Sequence, residues 1–293
     1  MAVDPQAVER IVARVGELPA MPAVVSEVLR ISNDPAADMT QLSHTIQGDP
    51  ALTAKVLRVA NSPYYGMRQY VGTLKLALVI LGVREVRNIV LGISVFETLK
   101  TEKDSIDIAR KIWERSLLVA GLAKKLGQSV GLGLQGEEFI AGLLSDIGKM
   151  VLLRQLGAPY REMLEKGEQD PGQLCHLELE EVGCTHADLA MALAVNWNLP
   201  QALSDALWRQ YPDPERPLVK AAHPGLTAVL RLAKTASVDD LSSPETSRTL
   251  QDAEAWKVLS KTKNPIADEI RLETLVRYLE ELKEAAKASL WLW

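Results

Sequence analysis

An aspartate set into an apolar stretch is the residue in this chain whose surroundings most demand a chemical account. Phe139 to Leu153 reads FIAGLLSDIGKMVLL, with Phe139, Ile140, Leu143, Leu144, Ile147, Val151 and Leu152 at three- and four-residue steps. That spacing predicts one helix with a broad buried face. Asp146 falls on it. A bare carboxylate there would cost roughly several kcal/mol, so Asp146 must be paired, hydrogen-bonded or bound to a metal.

Other reactive residue types are weaker candidates. Cys175, His176, Cys184 and His186 lie close in sequence, but Cys-His, seven residues, then Cys-x-His is not a zinc-finger spacing, and chance clustering is the preferred reading. Ser145 and His186 lack an identifiable third partner and oxyanion donors, which weakens a nucleophilic hydrolase. Lys149 and Arg154 could hold a phosphate, yet bases near a helix C-terminus are favourable without a ligand. The glycine-rich stretch Gly127 to Gly136 lacks the following Gly-Lys-Ser or Gly-Lys-Thr of a phosphate loop and reads as a helix connection. His44 and His223 are isolated and read as surface or capping residues.

The elements that must position Asp146 are helices. A chain of 293 residues, 47% hydrophobic, has ample material for a core, and its Ala, Leu and Val favour closely packed helices over sheets. Strand-like alternation is not evident. A net charge of −5 gives no global attraction to nucleic acid. Two cysteines, no signal-like leader and no membrane-length apolar run point to a reducing cytoplasm and no membrane insertion.

Asp-Pro pairs punctuate the pattern. Asp4-Pro5, Asp34-Pro35, Asp49-Pro50 and Asp170-Pro171 each offer a cap acceptor before a residue suited to a first helical turn, whereas Asp213-Pro214 reads as a turn. Expected helices cover Val24 to Leu29, Met39 to Gln47, Ala51 to Ala60, Leu74 to Leu81, Arg84 to Thr98 and Ile108 to Leu126. Beyond the central helix come Tyr160 to Lys166, Gly172 to Glu181, a helix capped by Thr185 to about Trp197, one opened by Pro200, and Leu218 to Ser237. A polar break at Asp239 to Ser247 precedes a closing helix, Ile266 to Leu290. Trp291 and Trp293 at the end are too apolar to be left in water, and either dock on the chain's own surface or meet a partner.

Ala141-Gly-Leu-Leu-Ser-Asp-Ile-Gly-Lys149 resembles the central motif of the HD superfamily of metal-dependent phosphohydrolases, and more closely its HDOD branch of signalling proteins. Leu18 to Pro22, Asp49 to Leu52, Leu57 to Ser62 and Leu81-Gly82 match that branch's short N-terminal motifs in order. The resemblance implies an all-α protein: an N-terminal helical bundle over 1–100 packed on a degenerate HD-like helical bundle over 101–237, with a helical extension over 238–293.

It also implies where metal ligands would lie, and most are replaced. Ser145 stands where the paired His belongs, Arg115 replaces the His two residues after Trp113, Arg209 lies in the stretch where relatives supply His, and Lys234 takes the closing Asp position. Asp146 and His186 remain. Permanent positive charges where a cation would sit oppose metal binding, so neither metal nor cofactor is expected. Arg115, with Lys234, is expected to pair with Asp146; the alternative sends Arg115 to solvent and leaves Asp146 capping backbone. The cleft so defined holds Arg115, Ser145, Asp146, Lys149, His186, Arg209 and Lys234.

The expectation is a non-catalytic bacterial signalling module working through protein contacts, with response regulators or cyclic-dinucleotide enzymes as partners, no nucleic acid, and a homodimer as a further contact. Contact candidates are Asn61, Ser62, Tyr64 and Tyr65 in one loop, and Trp291 and Trp293. The rival is a residual metal-dependent phosphohydrolase or a nucleotide or cyclic-dinucleotide sensor at the same cleft.

Overall fold

The computed structural model describes residues 11, 13, 16, 18–32, 39–62, 65–99, 105–167, 171–238 and 254–262. Asp4-Pro5, Asp34-Pro35, Tyr64, Asp170, the break at 239–247, the closing helix at 266–290, Trp291 and Trp293 lie outside them. Every regular element among the described residues is a helix, and none is long and apolar enough to cross a membrane. The described residues divide into two units, 20–99 on one side and 11–19 with 105–238 and 254–262 on the other.

In the first unit, α1 (Ala23–Ser32), α2 (Met39–Gln47), α3 (Pro50–Ala60) and α4 (Leu74–Leu81) accompany α5 (Val83–Thr98), which packs on α1, α3 and α4. Val86 to Phe96 of α5 are buried without interruption, which makes it the central helix of the unit. The local signals are obeyed. Asp49 accepts from the Leu52 amide at 3.0 Å to open α3, Thr73 accepts from the Leu76 amide to open α4, and Gly82 turns the chain at φ 86° between α4 and α5.

The loop after α3, expected as a contact surface, is tied together by its own hydrogen bonds. Asn61 Nδ2 donates to the Leu57 and Val71 carbonyls at 2.7 and 2.9 Å, and its Oδ1 accepts from the Val71 amide at 2.7 Å. Ser62 is buried and Tyr65 half-buried, its hydroxyl 3.4 Å from Glu85. Asn61 therefore closes the loop on itself, because a turn that leaves a helix must find partners for its freed backbone groups.

The second unit is built on α6 (Ile106–Ser129), α7 (Glu137–Leu144), α8 (Ile147–Leu156), α9 (Ala158–Lys166), α10 (Pro171–Glu181), α11 (His186–Asn196), α12 (Gln201–Trp208), α13 (Pro224–Val238) and α14 (Glu254–Leu259). Leu18 and Pro19 belong to it, and the Trp197 indole donates to the Pro19 carbonyl at 2.9 Å. Helix α6 packs along α7 and α13, and Gly142 lets α7 lie directly on the α6 backbone, where a β-carbon would run into Ala120.

Two expected helices are interrupted. The helix of Phe139 to Leu153 breaks at Ser145-Asp146: the Ser145 amide and hydroxyl both donate back to the Gly142 carbonyl, and Asp146 leaves helical geometry at φ −106°, ψ 13° to precede α8. The stretch from Leu218 to Ser237 is a 3-10 turn, Leu218–Lys220, followed by α13, whose Leu226 amide donates to His223 Nδ1 at 2.9 Å. His223 is thus a cap, and Asp213 accepts from the Glu215 amide in the expected turn.

Candidate functional site

Asp146 and Glu178 are buried acids of the second unit that sit where helices begin or approach one another. Asp146 directly precedes α8, whose N-terminal dipole favours a carboxylate. Gly148, in the first turn of α8, lies against the start of α11; a β-carbon there would run into the His186 carbonyl. This close approach brings His186 Nε2 to 4.0 Å from Asp146 Oδ1. The Thr185–Asp188 capping box fixes the start of α11, with the Thr185 hydroxyl accepting from the Asp188 amide and Asp188 accepting from the Thr185 amide.

Asp146 is 1% exposed and meets Lys234, Lys149 and Arg115. Its Oδ1 accepts from Lys234 Nζ at 2.8 Å and lies 3.1 Å from Lys149 Nζ. Arg115 Nε stands 3.9 Å from Oδ2 without a hydrogen bond to it. The expected order of partners is therefore reversed: Lys234 is the principal one, Lys149 the second, and Arg115, a quarter exposed, the outermost. Lys149 sits in the first turn of α8 rather than near a helix C-terminus, because the break at Asp146 restarts the helix. Arg154, in the last turn of α8, is exposed.

Electrostatics follow from the crowding. Burial would raise the Asp146 carboxyl, but Lys149, Lys234 and Arg115 hold it well below the usual carboxylate range. Burial lowers the Lys234 ammonium to about 7, with Asp146 opposing that shift and Lys149 and Arg115 adding to it. The Lys234 ammonium also lies 4.8 Å from the centre of the Tyr211 ring.

Alongside runs a second network that the sequence does not single out. Glu178 receives the His186 backbone amide at 2.9 Å, the Tyr160 hydroxyl at 2.6 Å and His186 Nδ1 at 2.7 Å. Burial would raise Glu178, but His186 and these hydrogen bonds bring it below its usual value. Burial lowers His186 against the pull of Glu178. The imidazole is thus neutral, with its proton on Nδ1 toward Glu178, and its Nε2 accepts from the Tyr211 hydroxyl at 2.9 Å. Glu178 lies one turn after buried Leu174, an acid on an apolar face like Asp146, and that spacing is the available signal.

The other candidates are committed elsewhere. Ser145 is buried and bonded to Gly142. Arg209 Nε donates to Asp205 at 2.9 Å and Nη1 to the Pro217 carbonyl at 3.2 Å, so it ties α12 to the following loop. His176 is exposed beside Glu180, and Cys184 is buried and in no disulfide.

Among the described residues, one group of potential metal donors converges: Cys175, Glu178 and His186, with ligand atoms within 4.8 Å of one another. Its Glu and His are already hydrogen-bonded together, and burial pushes the Cys175 thiol up to about 12. At Asp146 a divalent metal does not fit the residues present, since two ammonium groups already crowd one carboxylate oxygen.

The second unit is all-helical among its described residues and buries a Ser-Asp pair between α7 and α8. The HDOD domain family matches residues 18–212, and the chain belongs to that family. A Geobacter sulfurreducens HDOD domain protein of unknown function is similar in structure, with a TM-score of 0.79 and 21% identity over 96% of both chains. A Shewanella amazonensis SB2B protein bearing a provisional phosphohydrolase name has a TM-score of 0.71 and 24% identity, covering 95% of this chain and 97% of its own. A Marinobacter aquaeolei VT8 protein provisionally named for signal transduction has a TM-score of 0.74 and 21% identity, covering 98% of this chain and 64% of its own. An uncharacterized Treponema pallidum (strain Nichols) protein is 25% identical over 204 residues; the matched region is 66% of this chain and spans only 37% of that relative.

Proposed function

We propose that the chain is a non-catalytic regulatory module of bacterial cytoplasmic signalling that acts by protein contact. The observation that carries this reading is the position of Lys234 and Lys149, 2.8 and 3.1 Å from the same oxygen of Asp146. Metal-dependent phosphoester hydrolysis needs that carboxylate to coordinate a cation and activate water. Here its charge is already offset by protein ammonium groups. Membership of the HDOD family and a fold neighbour named for signal transduction agree with a signalling role. Response regulators and cyclic-dinucleotide enzymes are the partner classes we favour.

A second reading is a residual phosphohydrolase or nucleotide sensor at the same cluster, favoured by the excess of cations over acid around Asp146 and by the provisional name of the Shewanella neighbour. Metal analysis of the purified chain with manganese, iron or magnesium, together with turnover of nucleotide phosphoesters, separates the two. The module reading expects neither stoichiometric metal nor turnover. Turnover that disappears in Asp146→Ala would establish the enzyme instead.

A further inference from the structure

Helix α4, LKLALVIL, is apolar at every position but Lys75. Such a helix is normally enclosed, yet only Leu74, Ala77 and Leu78, its inner arc, are buried. Leu76, Val79 and Ile80 are 38%, 65% and 46% exposed, and their spacing of i, i+3 and i+4 makes one outward ridge. Tyr70, just before the helix, is 79% exposed. Single exposed apolar residues need no explanation, but three on one short helix do.

Charge identifies the kind of occupant. Lys75 shares the outward arc, and Arg84, in α5 just past the Gly82 turn, follows Ile80 by four residues; both are exposed and make no ion pair among the described residues. Between Met39 and Leu99 the chain carries six Lys or Arg against three Asp or Glu, although its overall charge is −5. Over the whole unit, 20–99, the count is seven against six, so the positive character is local to this stretch.

We propose that the outward face of α4 is a docking site for an amphipathic helix of another protein, seating an apolar stripe on Leu76, Val79 and Ile80 with Asp or Glu flanks against Lys75 and Arg84. The proposal deepens the contact-module reading and rests on it. A ridge at helical spacing receives a second helix by ridge-and-groove packing, and the unit has no strand among its described residues to offer an edge for β-addition. A second copy set symmetrically on the same face would bring Lys75 and Arg84 toward their own equivalents. An anionic bilayer would gain little from three apolar side chains and two cations.

The test uses the full chain and two labelled helical peptides sharing one Leu/Ile stripe, one flanked by Glu and the other by Lys, followed by fluorescence anisotropy. The Glu peptide is expected to bind at least about tenfold more tightly. Val79→Asp should abolish binding, and Lys75→Glu with Arg84→Glu should reverse the preference, with circular dichroism unchanged in each variant. Equal binding of the two peptides, or a preference that survives Val79→Asp, overturns the proposal. So does binding to phosphatidylserine vesicles in place of the peptide, or a dimer in solution that Val79→Asp dissociates. Because the metal and turnover assays do not involve α4, failure here is distinguishable from failure of the non-catalytic reading.

Discussion

Lys234 Nζ and Asp146 Oδ1 lie 2.8 Å apart, from residues 88 positions apart in sequence, and both side chains are almost fully buried. The ion pair joins the start of α8 to α13 across the interior of the second unit. Removing one partner leaves uncompensated buried charge, whereas removing both with apolar replacements need not.

Asp146→Asn is therefore expected to destabilise the protein by about 3–5 kcal/mol, because Lys149 and Lys234 then face one another without an acid between them. Asp146→Leu combined with Lys234→Met and Lys149→Met, which removes both ammonium groups along with the acid, should recover a large part of that loss. Urea denaturation of the two variants measures the difference, and equal losses would show that the pair does not act as a unit.

Stability should climb with pH between about 7 and 10.5, the window from the depressed Lys234 value to that of a free lysine. Across it the unfolded chain holds a proton that the folded chain lacks, so raising the pH favours the folded state. His186, also depressed, adds a loss of stability as pH falls through 6.5 and the unfolded imidazole charges first. Thermal melts across both windows read the two effects, and Lys234→Met should flatten the upper part of the rise while His186→Gln flattens the lower.

Gly148→Ala should cost about 1–3 kcal/mol or more, the range for forcing extra atoms into a packed interior, because the new methyl meets the His186 backbone rather than a movable side chain. Chemical denaturation measures the cost. A neutral substitution would mean that α8 and α11 can separate without loss.

Asn61→Ala removes three hydrogen bonds of 2.7 to 2.9 Å that close the loop before α4. At about 1 kcal/mol each, roughly 2–3 kcal/mol should be lost, and hydrogen exchange at the Val71 amide should accelerate. Unchanged exchange there would show that the loop is held by other contacts.

Asp146 is legible in the sequence because an acid interrupts an apolar stripe, and Asp49, Thr185 and Gly82 are legible because caps and turns are local. Glu178 carries the same signal relative to Leu174, but within the mostly polar run His176 to Glu181 it resembles a solvated face. The outward ridge of α4 escapes for the opposite reason: a helix apolar nearly all round looks uniformly buried until packing shows which arc is covered.

Short-range order in the residues determined that this chain is helical, where most helices start, and that an acid must be neutralised inside it. The rank of its partners, the break that restarts the helix at Asp146, and the Glu178–His186–Tyr211 chain were decided by tertiary structure alone. Helix propensity and capping act over a few residues. Which of three cations comes within bonding distance of one carboxylate depends on how α6, α8 and α13 pack, and no spacing along the chain encodes that distance directly.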